Sequence, residues 1–597
     1  MRREPKPDFD RYLTALNCEE PDRVPLGDWH VDSMPMASFL GRKIKTLQDQ
    51  IEFWHSAGYD YITTSSGILE PVRAPEGMTI KGDALHTEYD QDRRREWAIE
   101  GQGLITDWQA FEAYPWPSAD NFDLAKWDEL DQTLPAGMKA VLLLGKIYSC
   151  VWMFMGAETF FKALENDPEL VGALFEKIGT IQYETFLRVI EHPSLGAVLN
   201  PDDIAHNSGL LIHPKYLRQY VFPWYKKIGD ICRDKGLGFI FHSDGDCTEV
   251  MDDFIACGFH GFNPIQPNAM DIEAVKQKWG DRLCLIGNLN LDSTLTLGTP
   301  QDVRAEVYER IRTIGPGGGY MVASSNSITD YVPLENMQAL IEATFEFGQY
   351  PIRLEAGGVE GKVWKYEGKT HRESRPATST GRDVSAYFSA LMLNDPAPAV
   401  DLCRQALTDG AAVQEIVNNG LIPAMALVGE KFQKGEIYIP EMLIAAKTMS
   451  ATLEHFKDQL TAKGEKKLVT VAIGTVKGDL HDIGKNLVAM MLEGQGFAVA
   501  DLGISVTPAK FVEIAREQKP TIIALSALLT TTMIEMKNVV NALEEAGLRD
   551  TVKIIVGGAP VTQGFADEIG ADGYAYDSPG AAQLCREIVQ GIEELRD

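Results

Sequence analysis

The sequence predicts an α/β protein of several domains, in which a (β/α)8 barrel is followed by a helical bundle and a five-stranded parallel α/β domain. Three observations predict this architecture. The chain has 597 residues, which is too long for one hydrophobic core. Short apolar runs alternate with amphipathic helical patterns over most of that length. A polar, glycine-rich stretch without periodicity, residues 353–383, interrupts the alternation and indicates an interdomain linker.

Eight short apolar runs precede the linker, and each ends in polar residues. Because helical patterns lie between them, the repeating order predicts a (β/α)8 barrel over residues 1–352, with an open doubly wound sheet as the alternative. Extra strand-like pieces between about 70 and 135 predict an insertion after the second strand. The predicted strands are VPLGDWH (24–30), YDYITTSSG (59–67), AVLLLGKIY (140–148), LGAVLNPDD (195–203), LGFIFHSDGD (237–246), GFHGFNPI (258–265), LCLIGNLN (283–290) and GYMVASSN (319–326).

Beyond the linker the periodicity changes twice. Residues 384–465 have the apolar spacing of helices, broken by proline and glycine, and predict a small four-helix bundle. Residues 466–597 alternate helices with the strand-like runs LVTVAIG, AVADLG, TIIALSAL, KIIVGG and GYAYD. This order predicts a five-stranded parallel α/β domain.

Charge and composition argue against several classes of protein. With 56 basic and 86 acidic residues the formal charge is −30, which would repel nucleic acid. No run of about 18 apolar residues is present, and the N-terminus lacks the apolar core of a secretory signal. We therefore expect a cytoplasmic protein without membrane contact. Eight scattered cysteines without CxxC pairs argue against disulfides and against a cysteine-only zinc site.

The segment GTVKGDLHDIGKNL places His481 between Asp479 and Asp482 at a strand-to-helix turn, where open α/β sheets hold ligands. A histidine suits metal ligation when one ring nitrogen binds and the other donates to a carboxylate, for which Asp479 is the candidate. Gly484 allows close approach of the backbone as the helix begins. The alternative is an exposed loop histidine with helix-capping aspartates.

The next strand ends extend the predicted crevice. LSALLTTT places Ser526, Leu528 and Thr530 at its edge, and GGAP adds Gly557 and Gly558. Hydroxyl groups and backbone without side chains would admit a long ligand with polar edges rather than a compact ion.

These residues carry a resemblance. The pattern Asp479-x-His481-x-x-Gly484, followed by Ser526-x-Leu528 and two glycines, resembles the cobalamin-binding domain of methionine synthase and of methanogen corrinoid proteins. Residues 384–465 resemble the helical cap of those proteins. The resemblance implies a Rossmann-like cobalamin-binding domain over residues 466–597, with His481 as the axial ligand of cobalt.

The same resemblance implies further roles. Asp479 would tune His481, with Ser526 as a further hydrogen-bond partner. The slot for the nucleotide tail of the cofactor would be lined by Gly557, Gly558 and Thr530. Leu528, Asp482 and Gly484 complete the expected cofactor-binding set. Tyr438 and Met442 of the bundle would either cover the corrin or be ordinary core residues.

Polar residues also collect at the predicted mouth of the barrel, where active sites of this fold lie. FIFHSDGD makes His242, Asp244 and Asp246 candidates, and NPDD adds Asp203. Because His242 and Asp244 are two positions apart on a strand-like track, their side chains face the same way, which suits metal binding or acid–base chemistry. A plain rim histidine is the alternative. Other polar residues expected on this rim are Asn200, Asp202, His206, Ser243, Asn263, Gln266, Asn288, Ser325 and Asn326.

The first part of the chain, through DRVPLGDWH, GFIFHSDGD and GGGYMVASSNSI, resembles the uroporphyrinogen decarboxylase family and its corrinoid-dependent methyltransferase branch. Members of that branch bind zinc through a His-x-Cys pair and a distant cysteine. Here His242 matches, Asp244 stands where the first cysteine would be, and Asn326 or a neighbouring serine replaces the second. The site therefore holds zinc through His242 and carboxylates, or it holds none and a protonated acid assists the leaving group.

The order of barrel, linker and corrinoid domain resembles the two-domain chloromethane:corrinoid methyltransferases. It implies transfer of a methyl group from a small methyl ether, methyl amine or methyl halide to cobalt(I) of the chain's own cobalamin. The missing cysteines favour methoxylated compounds. Expected partners are a separate methyl-acceptor methyltransferase, with tetrahydrofolate as a candidate acceptor, and a corrinoid reductive activase.

Two other functions stay open from the sequence. A decarboxylase with a regulatory cobalamin domain would need several arginines to hold a polycarboxylate, and the predicted strand ends have none. A cobalamin carrier or sensor with a non-catalytic barrel would not need the polar rim around His242.

Overall fold

The computed structural model describes residues 6–65, 79–81, 96–98, 103–366, 384–456, 469–479, 481, 483–528, 530–558 and 561–594. These residues form two compact units. The first holds most described residues up to 366, and the second holds the described residues from 384 onward together with residues 80–81. Among the described helices, none is long and apolar enough to cross a membrane.

Most strands before residue 350 belong to one curved parallel sheet, as expected for a barrel. The strands are β1 (Tyr61–Ser65), β2 (Thr79–Lys81), β3 (Glu96–Ala98), β4 (Lys139–Leu143), β5 (Leu195–Pro201), β6 (Ala205–His206), β7 (Gly209–Leu210), β8 (Gly238–His242), β9 (Gly261–Asn263), β10 (Cys284–Leu289) and β11 (Tyr320–Ser324). Seven of them pair in parallel in the order β1–β4–β5–β8–β9–β10–β11. They coincide with seven of the eight predicted strands.

Helices alternate with these strands, which confirms the βα order. They are α1 (Phe9–Leu16), α2 (Ser33–Leu40), α3 (Leu47–Ala57), α4 (Trp108–Ala113), α5 (Ala125–Thr133), α6 (Tyr148–Met155), α7 (Ala157–Asn166), α8 (Pro168–Val189), α9 (Pro214–Tyr216), α10 (Phe222–Lys235), α11 (Met251–Cys257), α12 (Ile272–Trp279), α13 (Pro300–Ile314) and α14 (Leu334–Phe347). The pairs β2–β3 and β6–β7 are separate two-stranded sheets. β2, β3, α4 and α5 lie within the predicted insertion.

The segment VPLGDWH occupies the place of the first barrel strand but is not a regular strand. The backbone N–H of Gly27 donates to the Val322 carbonyl at 2.8 Å, and that of Val322 donates to the Pro25 carbonyl at 3.0 Å. Pro25 has no N–H, so the segment cannot continue a ladder on both sides. On the other flank, the Tyr59 hydroxyl donates to Asp28 Oδ2 at 2.7 Å. The barrel therefore closes through isolated bridging contacts and a buried carboxylate, and the prediction of a regular strand here is wrong.

The first part of the predicted linker lies against α13, and we call residues 353–366 the strap. The Tyr308 hydroxyl donates to the Glu355 carbonyl at 2.8 Å. The backbone N–H of Lys362 donates to Asp302 Oδ1 at 2.8 Å. These contacts extend the first unit beyond the barrel boundary expected at residue 352. The remaining linker residues, 367–383, lie outside the described part of the chain.

The second unit begins with the predicted helical bundle, whose segments are α15 (Val384–Leu391), α16 (Pro396–Thr408), α17 (Val413–Ile416), α18 (Ile422–Gln433) and α19 (Ile439–His455). A π-helical turn, Val417–Leu421, joins α17 to α18. Tyr438 and Met442 are buried at 5% and 1% exposure, so they belong to the core in this structure.

The α/β domain of the second unit has five parallel strands, as predicted. Its elements are β12 (Thr470–Thr475), α20 (Ile483–Gly494), β13 (Ala498–Asp501), α21 (Pro508–Glu517), β14 (Ile522–Ser526), α22 (Thr530–Glu545), β15 (Lys553–Gly557), α23 (Gln563–Ile569), β16 (Gly573–Ala575) and α24 (Ser578–Glu594). The sheet order is β13–β12–β14–β15–β16. Since the chain leaves β12 first to one side and then to the other, the crevice for a ligand lies at the carboxyl ends of β12 and β14.

Candidate functional site

The turn after β12 is held in one shape by short backbone and hydroxyl contacts. The Thr475 hydroxyl donates to the His481 carbonyl at 2.9 Å. The backbone N–H of Gly478, at φ +79°, donates to Ser505 Oγ at 3.0 Å. These contacts place His481 directly at the switch point of the sheet.

His481 and Asp479 form the central pair of this crevice. Asp479 Oδ1 lies 2.8 Å from His481 Nδ1 and also accepts the backbone N–H of His481 at 3.1 Å. The Asp479 carboxylate is fully buried, whereas the His481 side chain is 21% exposed. A carboxylate at Nδ1 requires a proton there, so the neutral ring has its lone pair at Nε2, the atom that a metal would bind.

The other carboxylate oxygen of Asp479 is bound as well. Oδ2 accepts the Leu528 backbone N–H at 2.7 Å and the Thr532 hydroxyl at 2.6 Å. Burial opposes ionisation of this carboxyl, but the hydrogen bonds from His481, Thr532 and Leu528 outweigh it and lower the pKa of Asp479. An ionised carboxylate therefore orients the histidine.

Thr532 was not among the residues predicted for this site. The resemblance assigned the role of further hydrogen-bond partner at this site to Ser526. Ser526 ends β14 and is in register with Thr475 and Gly557. Thr532 follows Thr530 by two residues in the TTT run and lies in the first turn of α22. The assignment of Ser526 to a cofactor contact stays a prediction.

The glycines of the site differ in what they are needed for. Gly558 has φ +131°, and a Cβ there would lie 1.8 Å from the Ala527 carbonyl oxygen, so the backbone itself requires glycine. A Cβ on Gly557 would lie 3.0 Å from the Ala575 carbonyl oxygen. Among the described residues, a Cβ on Gly484 would meet no atom within 4 Å, so the described part of the chain leaves space beside the start of α20. Asp482 lies outside the described residues, as does the side chain of Thr530.

The mouth of the barrel brings together three of the four predicted catalytic residues. Single ligand atoms of Asp203, His242 and Asp244 all lie within 4.8 Å of one another. His242 ends β8 and is 3% exposed. Its ring centroid lies 4.4 Å from that of Trp29, and its Nδ1 lies 2.5 Å from Asn263 Oδ1. One imidazole and two carboxylates form a donor set that first-row divalent metals accept.

Both carboxylates of this cluster accept hydrogen bonds from neighbouring groups. Lys146 Nζ donates to Asp203 Oδ2 at 3.2 Å, and the Asp244 backbone N–H donates to Asp203 Oδ1 at 3.2 Å. Asn326 Nδ2 lies 3.1 and 2.9 Å from the two oxygens of Asp244. Lys146 was not predicted, although it is the cation that follows the third barrel strand in AVLLLGKIY.

Burial and charge set the ionisation of this cluster. Burial lowers the pKa of His242, and the nearby Asp203 carboxylate only partly offsets this effect. Burial opposes ionisation of Asp203, but the charge of Lys146, aided by His242 in the acidic range where its ring is protonated, outweighs burial and lowers the pKa of this carboxyl. His242 is therefore neutral at pH 7 beside an ionised Asp203.

Other residues expected at the rim have different roles. Asp246, the fourth predicted catalytic residue, accepts the Thr248 backbone N–H at 2.9 Å, and its own N–H donates to the His206 carbonyl at 2.9 Å. Asp202 is fully buried and accepts the backbone N–H groups of Tyr148 and Ser149, each at 2.7 Å, so it stabilises the start of α6. The start of α6 accounts for Asp202, whereas the catalytic role of Asp246 stays a prediction.

Comparisons with known families agree with this division of the chain. Residues 145–347 match the uroporphyrinogen decarboxylase (URO-D) family. Residues 385–457 and 469–582 match two families that are each described as a B12 binding domain.

Close relatives cover the second unit. Trimethylamine corrinoid protein 1 of Methanosarcina acetivorans is 44% identical over 193 residues, which are 32% of this chain and 89% of that protein. Trimethylamine corrinoid protein of Methanosarcina barkeri is 46% identical over 178 residues, 30% of this chain and 82% of that protein. The fold and the His481 site thus define a corrinoid-binding protein joined to a URO-D-type barrel. The chain belongs to the corrinoid protein family through its second unit, and its cofactor is a corrinoid.

Two solved structures are similar to stretches of the chain. A cobalamin-binding protein from Desulfitobacterium hafniense is 31% identical, covers 34% of this chain and 98% of its own, and has a TM-score of 0.31. A methyltransferase from Methanosarcina mazei is 17% identical, covers 56% of this chain and 98% of its own, and has a TM-score of 0.43.

The described residues fit a corrinoid at the β12–β14 crevice. His481 would hold the cobalt through Nε2, since Asp479 occupies Nδ1. The open space beside Gly484 and the backbone of Gly557 and Gly558 would admit the nucleotide tail. The half-exposed Leu528, at 45% exposure, offers the crevice an apolar surface that a macrocycle would cover.

Proposed function

We propose that the chain is a corrinoid-dependent methyltransferase in which the barrel binds a small methyl donor and the second unit binds the corrinoid that accepts the methyl group. The observation that carries the proposal is the cluster of Asp203, His242 and Asp244 at the carboxyl ends of the barrel strands. A barrel that only supported a carrier would have no need for three buried or half-buried ionisable groups in contact at its mouth.

The barrel residues would assist departure of the group that the methyl leaves. His242, Asp203 and Asp244 would hold a divalent metal ion that binds the departing oxygen or nitrogen, with Lys146 adding positive charge beside Asp203. Trp29, packed on the ring of His242, offers an apolar wall for the methyl donor. A corrinoid with cobalt in the +1 state supplies the nucleophile for the methyl group.

This arrangement favours methyl ethers and methyl amines over methyl halides as donors. An alkoxide, phenoxide or amine leaves slowly without a metal ion or a proton, whereas a halide leaves without either. The donor set with oxygen ligands in place of two cysteines suits an oxygen leaving group, because harder ligands keep the metal a stronger acid towards oxygen. Methoxylated compounds are therefore the first substrates to test.

The cycle requires two further proteins. A separate methyltransferase, with tetrahydrofolate as one candidate acceptor, would take the methyl group from the second unit. A reductive activase would restore the corrinoid after oxidation. Both would dock on the second unit, where His481 is partly exposed.

The experiment uses the full chain loaded with a corrinoid and reduced to cobalt(I). Methoxylated aromatic compounds, methyl amines and methyl halides are added one at a time, and loss of the cobalt(I) absorbance reports methyl transfer. We expect at least one donor to react and H242A to lose the reaction. H192A is the matched control, because His192 pairs with Asp131 just before β5, at the opposite end of the barrel.

The outcomes separate the proposed function from its alternatives. Reaction with no donor would support a carrier or sensor with a non-catalytic barrel. Release of carbon dioxide from a tetrapyrrole carboxylate would support a decarboxylase. Metal analysis of the dialysed wild type, H242A and D203N distinguishes a metal site from proton assistance. A metal site predicts metal bound at the barrel mouth of the wild type and lost in the two variants. Proton assistance predicts no metal bound there in any of the three proteins.

A further inference from the structure

Asn263 makes two hydrogen bonds that together fix its orientation. It ends β9, is 1% exposed, and lies in register with His242 on the neighbouring strand. Its Oδ1 lies 2.5 Å from His242 Nδ1, and its Nδ2 donates to the Ile286 carbonyl of β10 at 3.2 Å. The side chain therefore bridges β8 and β10 across the barrel interior.

The contact with β10 decides which end of the carboxamide faces His242. A carbonyl oxygen can only accept, so the Ile286 carbonyl must face the NH₂ group of Asn263. The oxygen of the carboxamide then faces His242 Nδ1. Since that oxygen also only accepts, the proton of the neutral imidazole must be on Nδ1.

A second contact holds the plane of the ring. The indole of Trp29 lies against the imidazole with ring centroids 4.4 Å apart and an interplanar angle of 48°. Rotation of His242 by 180° about Cβ–Cγ would bring a carbon atom to the Asn263 oxygen and lose the hydrogen bond. The Nε2 atom therefore has a fixed direction as well as a fixed protonation state.

We propose that Asn263 is the positioning residue that keeps His242 in the Nδ1–H form, so that Nε2 presents a lone pair. This inference rests on the proposed function for the use of His242. It deepens that function, because a neutral imidazole in this form has no proton to donate from Nε2. His242 then acts as a metal ligand or a proton acceptor towards the donor, and it is not the acid that protonates the leaving group.

The test reads the tautomer directly on the full chain. Nitrogen-15 labelling of histidine gives separate NMR signals for protonated and unprotonated ring nitrogens, and loss of one set in H242Q assigns His242. We expect the wild type to have Nδ1 protonated and Nε2 unprotonated. N263A should lose this state, whereas N263D should keep it, because a carboxylate oxygen still accepts from Nδ1.

A matched control excludes general loosening of the barrel. Asn200 is also fully buried, on β5, and its Nδ2 lies 3.5 Å from the Tyr225 hydroxyl. N200A should leave the His242 signals as in the wild type. The proposal is overturned if the wild type has Nε2 protonated, if N263A keeps the wild-type state, or if N200A changes it equally.

A second measurement adds a rescue by N263D and a double variant, so that poor folding of N263A alone would not count as support. Zn²⁺ affinity of the full chain should fall about 10–100-fold in N263A and recover in N263D. Added to H242Q, N263A should cause no further loss, and equal affinities of N263A and the wild type would overturn the proposal. Neither readout uses methyl transfer, so failure of all methyl donors would remove the proposed function and leave this result standing.

Discussion

Two histidines follow parallel strands in this molecule, and their partners set what each ring can do. His481 donates to Asp479, a carboxylate whose pKa is lowered by the hydrogen bonds that outweigh its burial. His242 lies against the neutral carboxamide of Asn263. A charged partner makes a stronger hydrogen bond and a more basic ring than a neutral one. The ring of the second unit is thus the better electron donor of the two, which the proposed axial ligand of cobalt would need to be.

The lowered pKa of Asp479 predicts a pH-dependent contribution to stability. Its folded pKa lies below the unfolded value of about 3.9, so its contribution is complete above that value and is lost as the pH falls through the folded pKa. D479N lacks this contribution. The difference in unfolding free energy between the wild type and D479N should therefore be largest near pH 7 and shrink below about pH 4.

Urea unfolding of the second unit across this pH range measures the difference. D567N, on the exposed face of α23, controls for loss of one surface charge and should change the free energy of unfolding by less than about 0.5 kcal/mol. A difference for D479N that stays constant down to pH 3 would contradict the prediction.

Two glycines in the crevice provide a second prediction. G558A should destabilise the second unit, because its Cβ would clash at 1.8 Å with the Ala527 carbonyl oxygen at φ +131°. G484A should fold as the wild type does, since its Cβ meets no atom of the described residues within 4 Å. It should nevertheless bind the corrinoid more weakly, because the methyl group enters the ligand space.

Thermal unfolding without cofactor and a corrinoid titration separate the two effects. We expect a cost of more than about 1 kcal/mol for G558A and almost none for G484A. Unchanged corrinoid binding by G484A would show that the cofactor does not approach the start of α20.

At the scale of elements, the sequence predicts the helices and strands well wherever the spacing of apolar residues distinguishes a helix from a strand. Seven barrel strands and all five strands of the second unit lie within the predicted runs, because buried parallel strands are continuous apolar segments. The prediction of a regular first barrel strand is wrong for a local reason, since Pro25 has no backbone N–H to donate to a neighbouring strand. The contacts of the strap were not predicted, because the strap contributes backbone carbonyl and N–H groups to them, which no residue pattern reveals.

Arg310 joins the strap to a buried acid and gives an element-scale prediction. Its guanidinium lies 3.6 Å from the fully buried Glu306 and donates to the Trp364 carbonyl at 2.9 Å. Burial raises the pKa of Glu306, and Arg310 opposes that rise. R310M should destabilise the first unit by about 3–5 kcal/mol, because it leaves a buried carboxylate without its cation. The penalty should shrink as the pH is lowered and Glu306 binds a proton.

The double variant E306Q/R310M is the matched control and should recover most of the lost stability, since no buried charge remains. Limited proteolysis provides a second measurement, because loss of the Trp364 contact should speed cleavage within the strap. Equal stability of R310M and the wild type would show that Glu306 does not depend on Arg310.

For the molecule as a whole, the two candidate sites were predicted from different signals. The roles at the corrinoid site came from a resemblance that short motifs on turns after neighbouring strands carry, and those roles stay predictions. The barrel cluster joins Asp203 to His242 and Asp244 across two strands, and its supports, Lys146 and Asn263, come from others. Such contacts depend on strand register, which the sequence does not specify.

The last described residue of the strap, Tyr366, shows where the described part of the first unit ends. Burial raises the pKa of the Tyr366 hydroxyl, and the nearby carboxylates of Asp246 and Asp271 raise it further. Asp246 follows β8, and Asp271 caps the start of α12, so both belong to the mouth of the barrel. The described part of the strap thus ends near carboxylates on the side of the first unit where its candidate site opens.

A tether that starts there should make transfer independent of protein concentration. A flexible linker of matching reach raises the local concentration of the carrier to about the millimolar range. Cleavage at a protease site inserted within residues 367–383 should therefore lower the rate of methyl transfer about a thousandfold at micromolar protein. Excess second unit should restore the rate, and the uncut chain with the same insertion is the control. If the cut protein transfers methyl groups as fast as the uncut chain at micromolar concentration, the two units associate without the linker, and the linker has no part in delivery.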